Sequence, residues 1–204
     1  AEALVNIAQL TWVTDTVLGD ARLALGALLP YGDVDVTADA STPAGGGQTL
    51  AKSDSTTAVG DLAVAASLGW RRRVDEKFRA WSIYSSVFVP TGSWKEGRIA
   101  NMGKNRWGLD LGGAFTMGNF KRGRELSGVL GFTLNGDNED TDYESGTEMH
   151  VEMVYKQHLP SGWSGGIVGY YNKQLSADSG APAVLGDFKG EVAGIGPELG
   201  YQFK

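Results

Sequence analysis

Apolar and polar positions alternate with a period of two along most of the chain, and a helical repeat is scarce. Between 21 and 31, Leu23, Leu25, Ala27, Leu29 and Tyr31 share one face, and Arg22, Ala24, Gly26, Leu28 and Pro30 share the other. Between 61 and 71, Leu62, Val64, Ala66, Leu68 and Trp70 oppose Asp61, Ala63, Ala65, Ser67, Gly69 and Arg71. The same alternation recurs at 81–89, 106–115, 125–135, 148–158, 163–172 and 193–203, and an opening segment at 4–14 places Leu4, Ala8, Leu10 and Trp12 together. This pattern predicts about nine strands and an all-β chain.

The two faces differ in kind. One is apolar and ends in aromatics such as Trp12, Tyr31, Trp70, Trp81, Trp107, Trp163 and Tyr201. The other is Gly, Ala and Ser with occasional full charges, where a soluble sandwich would carry Lys, Glu and Thr. An apolar face capped by aromatics suits a bilayer with its two interfacial belts, and a face of small residues suits a narrow lumen. The connections alternate as well. Those near 15–20, 72–76, 118–123 and 160–162 are short, and those near 38–57, 92–105, 135–143 and 177–187 are long. Short periplasmic turns and long outer loops mark an up-and-down transmembrane barrel. On that count the last strand runs inward and the first residue lies outside, so an even barrel requires at least one further N-terminal strand. We expect a single outer-membrane domain over 1–204 that lacks its N-terminal strands.

Composition narrows the function. The net charge of −6 argues against nucleic-acid partners, and the absence of cysteine removes disulfides and thiolate metal sites. Glycine, at 30 of 204 residues, is about twice its usual share. No apolar run approaches the roughly 18 residues of a membrane helix. The chain opens without Met or a basic n-region, as a processed chain or one that begins inside the domain would. Against this acidic background, the stretch from Pro90 to Leu111 is unusual, because Lys95, Arg98, Lys104 and Arg106 face a single anion, Glu96.

The segments LLPYGDVDV, VGDLAVAASLGW, FVPTGSWKEGRIANMGKNRWGLDL, LSGVLGFTLNGDNEDTDYESGTEMHVE and LGDFKGEVAGIGPELGYQF cover nearly the whole chain in order. They resemble the outer-membrane channel family associated with the meta-pathway of phenol degradation. The most specific elements are Arg98, Ala100, Asn101, Gly103, Asn105 and Trp107, and the NEDTDY run from Asn138 to Tyr143. The resemblance implies a monomeric barrel of about twelve antiparallel strands in the Gram-negative outer membrane, about three of them preceding Ala1. It also implies uptake of small, often aromatic, degradable compounds.

Several residues become candidates on this reading. A pore constriction is expected from Arg98, Lys104, Arg106 and Asn101, with the cations making the pore anion-preferring. Arg22, Arg71 and Lys156 are candidate vestibule cations, while most inward charges, among them Asp61, Asp110, Glu125, Glu148, His150, Glu152, His158 and Glu198, are expected to pair across strands. Pro30 and Pro197, which cannot donate to a ladder, are candidate wall kinks. The expected partners are small solutes, outer-membrane lipid and lipopolysaccharide, the last through exposed loop charges. The leading function is a passive solute channel. The alternatives are a hydrophobic-compound transporter with lateral exit through the wall, and a plugged structural barrel. No cofactor is called for. A Ser-His reading of His150 fails for want of a GxSxG elbow, and His150-x-Glu152 has strand spacing, not HExxH on a helix, so neither an enzyme nor a metal site is expected. The DNEDTDYE loop at 137–144 lacks the EF-hand glycine and terminal glutamate spacing.

Overall fold

The computed structural model of the chain describes residues 2–41, 49–180, 183 and 186–203. It is all-β, with no helix among the described residues. The elements are β1 (Glu2–Leu18), β2 (Ala21–Ser41), β3 (Thr49–Val59), β4 (Leu62–Val74), β5 (Lys77–Val89), β6 (Gly108–Asn119) and β7 (Arg124–Asn135). They continue with β8 (Asp137–Asn138), β9 (Tyr143–Glu144), β10 (Glu148–His158), β11 (Trp163–Gln174), β12 (Ser179–Gly180) and β13 (Glu191–Tyr201). The main ten-stranded sheet runs β1-β2-β4-β5-β6-β7-β10-β11-β13 with β3 also paired to β2, every pair antiparallel, and with β1 and β13 at the ends of the run. Three short strands, β12, β9 and β8, form a second small sheet within the long loops.

Register carries the sequence alternation across the wall. Leu23, Leu68, Ile83, Gly113, Leu130, Val151, Tyr171 and Ala193 form one continuous outward row through seven strand pairs. The next row over contains Ala24, Ser67, Tyr84, Gly112, Gly131, His150, Asn172 and Val192, all on the opposite face. Outward apolar side chains are bare: Ile195 is 83% exposed, Leu199 75% and Leu10 71%. The described residues contain no fully buried large side chain, and the buried apolar ones are only Ala21, Ala63 and Ala100. A chain of this length in water would hide a sizeable core. Here the apolar surface lies on the outside and needs lipid to cover it.

Aromatics cluster toward the end of the short turns. Trp70 stacks on Trp81 with ring centroids 6.4 Å apart, and Trp163, Tyr201 and Phe203 form a second cluster with centroids at 4.9 and 5.0 Å. The turn between β1 and β2 is the two-residue loop Gly19-Asp20, both with positive φ (48° and 61°), the conformation whose twist matches that of the flanking strands.

Two features depart from the sequence reading. The connection expected at 38–57 is largely strand, because β2 and β3 pair in register from Tyr31↔Val59 to Ser41↔Thr49. Residues 42–48 at its tip lie outside the described residues. The face that carries Leu29 and Tyr31 continues as Asp33, Asp35 and Thr37 beside Thr57, Ser55 and Ser53 of β3, while Val34 and Val36 continue the other face, so the polarity of a membrane strand is reversed although the pairing continues. β2 then changes partner. It pairs with β4 up to Leu28↔Ala63 and with β3 from Tyr31, leaving Leu29-Pro30 opposite Gly60-Asp61-Leu62. One extra residue opposite Pro30 is a β-bulge, which suits a residue without an N–H to give. Pro197 behaves differently: the ladder from β11 to β13 runs through Ile167↔Pro197 without a register shift, so the kink expected at Pro197 is absent from that pairing.

The inner face is shaped by glycine. Tyr84 of β5 lies across Gly112 of β6 and Gly131 of β7 and brings its Oη to 3.4 Å from His150 Nε2 on β10. His150 Nε2 is also 3.0 Å from Asp110 Oδ2, and Thr133 Oγ1 donates to the same carboxylate oxygen at 2.6 Å. Four strands are thereby tied across the lumen face. A Cβ on Gly131 would overlap both His150 Nε2 and Tyr84 Oη. Gly131→Val is expected to destabilise the barrel by about 1–3 kcal/mol, as overpacking does, read as a lower urea midpoint of the protein folded in lipid vesicles.

Candidate functional site

The long loop between β5 and β6, residues 90–107, folds against the inner face of the wall. Met102, Lys104 and Arg106 share a cavity of about 180 Å³ with Leu28, Pro30, Asp61, Phe88, Gly108 and Asn135. By strand register, Leu28, Phe88, Gly108 and Asn135 lie in one inward row. The loop therefore sits inside the outer mouth.

Asp61, at the bulge, is the anchor. Its Oδ1 accepts from Gly92 N at 2.9 Å and its Oδ2 from Lys104 N at 2.7 Å, so one carboxylate holds both ends of the loop. Ser93 N donates to Val59 O at 2.9 Å, and Gly103 N to Ser93 O at 2.9 Å. The backbones approach so closely that a Cβ on Gly92 would come within 2.7 Å of Gly103 Cα, and one on Gly103 within 2.7 Å of Gly92 C. These two positions have no room for a side chain.

Arg98 is the second anchor. Its Nη2 lies 2.8 Å from Asp54 Oδ1 on β3, and its Nε donates to Oδ2 at 3.1 Å. Nη2 also donates to Ser55 O, while Ile99 N and Ala100 N each donate to Asp54 Oδ2 at 3.2 Å. The Arg98 hydrogen bonds hold the Asp54 carboxyl far below the usual carboxylate range, helped by the Ala100 amide, and Asp54 raises Arg98 in turn. Arg98 is thus a neutralised tie, in place of the pore-lining role expected for it. Asn101 likewise serves the loop itself: its Oδ1 accepts from Lys95 N at 3.0 Å, and its Nδ2 donates to Lys95 O at 3.2 Å and Arg98 O at 3.3 Å.

The remaining loops lock onto the first. Asn105 Nδ2 donates to Asn138 Oδ1 at 3.1 Å and Asp140 Oδ2 at 2.8 Å, and Asn138 Nδ2 returns a bond to Lys104 O at 3.3 Å. Tyr143 Oη donates to Asp178, which also accepts from Gly146 N at 3.0 Å and Gln174 Nε2 at 2.6 Å. The Tyr143 hydrogen bond, with the Gly146 amide, holds Asp178 below the usual carboxylate range, and the Arg106 charge acts in the same direction. Tyr143 is raised, chiefly by burial. The acidic NEDTDY run is therefore a loop-to-loop lock, and no cluster of metal-ligating side chains occurs among the described residues.

Arg106 and Lys104 are left with charge to present. Neither is in an ion pair among the described residues, and Arg106 Nε is buried without a hydrogen-bond partner. At the other end of the lumen, Arg22 and Arg71 line a larger hollow of about 570 Å³ with Ala24, Ser67, Ala80, Ser82, Ala114 and Thr116. Lys156, expected as a third vestibule cation, is instead 2.5 Å from Glu198 across Gly166 of β11. Glu125 and His158 pair at 3.4 Å. Sequence reasoning missed Asp54, Asp178 and the tyrosine Tyr84. It treated Asp61 as a wall charge, although the Gly60-Asp61 dipeptide hinted at a turn.

A wall with an apolar outer face, alternating short and long connections and an inward-folded loop defines the class of outer-membrane channel folds. The family model described as a putative MetA pathway of phenol degradation matches residues 1–204, and the chain belongs to that family. The crystal structure of an outer membrane channel from Pseudomonas putida F1 is similar at 19% identity, with a TM-score of 0.73, over 98% of this chain and 71% of that one. No curated protein matches the chain. The fold is that of an outer-membrane protein.

Proposed function

We propose that this protein is a passive, anion-preferring channel of the bacterial outer membrane that admits small solutes, among them aromatic and other degradable organic compounds. The observation that supports it most is the pair Lys104 and Arg106, cations with no ion pair among the described residues that line the cavity between the loop and the wall, while Arg98 of the same loop is neutralised by Asp54. Fixed cations at a narrow, water-poor point favour anions and repel cations. Arg22 and Arg71 extend the positive path toward the periplasmic end. On this reading further strands join β1 to β13, because a wall in lipid leaves no backbone edge unpaired.

The lateral route draws on one observation: the bulge opposite Pro30 borders the loop cavity. Planar-bilayer recording separates the two. The channel reading expects ohmic conductance and a reversal potential under a KCl gradient of the sign for chloride preference. An electrically silent protein that nevertheless admits an aromatic probe into liposomes would favour the lateral route. Silence in both would leave a plugged barrel.

A further inference from the structure

The geometry points to a binding site, in the cavity between the inward loop and the wall, for a monocyclic aromatic monoanion of the benzoate type. Its location in the lumen constriction rests on the channel reading. Three observations carry the proposal. The first is size: the cavity is about 180 Å³, and an apolar cavity of about 150 Å³ holds a benzene ring. The second is lining. Leu28, Phe88 and Met102 supply an aliphatic, an aromatic and a thioether surface around one space, a combination suited to the faces and edges of a ring. The third is charge. Arg106 and Lys104 both line the cavity, and neither is in an ion pair among the described residues. An anionic oxygen on the ring meets the guanidinium charge, the kind of contact arginine makes best.

The one carboxylate at the cavity does not oppose this. Both Asp61 oxygens already accept backbone amides. Lys104 adds a second cation to the rim. Asn135 is engaged through its Nδ2 with Gly146 O at 3.0 Å and Glu148 Oε1 at 3.2 Å, which leaves Arg106 as the group that selects charge. Acetate fills too little of the space, and benzyl alcohol brings no charge, so both should bind weakly.

The test is isothermal titration calorimetry of the detergent-folded protein at neutral pH with benzoate, acetate and benzyl alcohol. Benzoate is expected to bind saturably and at least tenfold tighter than either control. Arg106→Gln should weaken benzoate at least tenfold, and Arg106→Lys, which keeps the charge without the planar guanidinium fork, should weaken it less. Phe88→Ala should weaken benzoate without strengthening acetate. Absent benzoate binding, equal binding of acetate, or benzoate binding unchanged in both Arg106 variants overturns the proposal. Chloride preference in bilayers without benzoate binding overturns this site and leaves the channel standing. Arg106-dependent benzoate binding by a protein with no anion preference supports the site and removes the channel reading.

Discussion

Arg106→Glu is expected to abolish or invert the ion preference of the pore, while the same reversal at Arg98 acts by unfastening the loop. A unit charge about 8 Å from a permeating ion, at an effective dielectric of about 20, contributes about 2 kcal/mol. Reversal doubles the change, and salt together with the remaining Lys104 reduces it. A fall of at least about tenfold in the chloride-to-potassium permeability ratio follows, measured as a shift in reversal potential. Arg98 behaves differently because its guanidinium already faces Asp54. Arg98→Glu should make conductance noisy and variable, and the exchanged pair Arg98→Asp with Asp54→Arg should recover steady conductance. A clean selectivity shift from Arg98→Glu, with no gain in noise, would return Arg98 to the pore lining.

The second large effect is expected at the anchor below the loop. Asp61→Ala removes the acceptor for two backbone amides, Gly92 N and Lys104 N. Two charge-assisted bonds at a half-exposed carboxylate contribute on the order of 2 kcal/mol, enough to raise the open population of the loop more than tenfold. Protease cleavage within 94–105 should accelerate accordingly, while the strands of the barrel stay resistant. Gly103→Val should do the same by another route, since its Cβ meets the Gly92 backbone. A loop that is cut no faster in either variant would mean that Asp61 and the glycine contact do not hold it.

The wall was legible in the sequence because lipid makes the period-two contrast strong. Ile195 and Leu199 face hydrocarbon while Gly194, Gly196 and Glu198 face the lumen, and no register slip preserves that division. The hairpin of β2 and β3 beyond Tyr31 was illegible because its polarity is reversed: Asp33, Asp35 and Thr37 continue the face that carries Leu29, and Val34 and Val36 continue the lumen face. The site was legible in part. The cluster of loop cations drew attention to Lys104 and Arg106, which line the cavity. What the sequence hid was which charges cancel, because Arg98 and Asp54 are 44 positions apart and meet only once β3 stands beside the loop. Lys156 and Glu198 meet across a strand whose glycine makes room between them. Asn105 and Asn138 sit in two motifs that look separate along the chain, and they prove to be the two halves of one lock.

The inward fold of the loop is the central claim, and period two offers a direct test of it. The chain has no cysteine, so Met102→Cys can be combined with Leu28→Cys, on the lumen face, or with Leu29→Cys, its neighbour on the lipid face. A short bismaleimide applied to the folded protein in membranes should join Met102→Cys to Leu28→Cys and not to Leu29→Cys. Cross-linking to Leu29→Cys, or to neither, would place the loop outside the lumen and contradict the account.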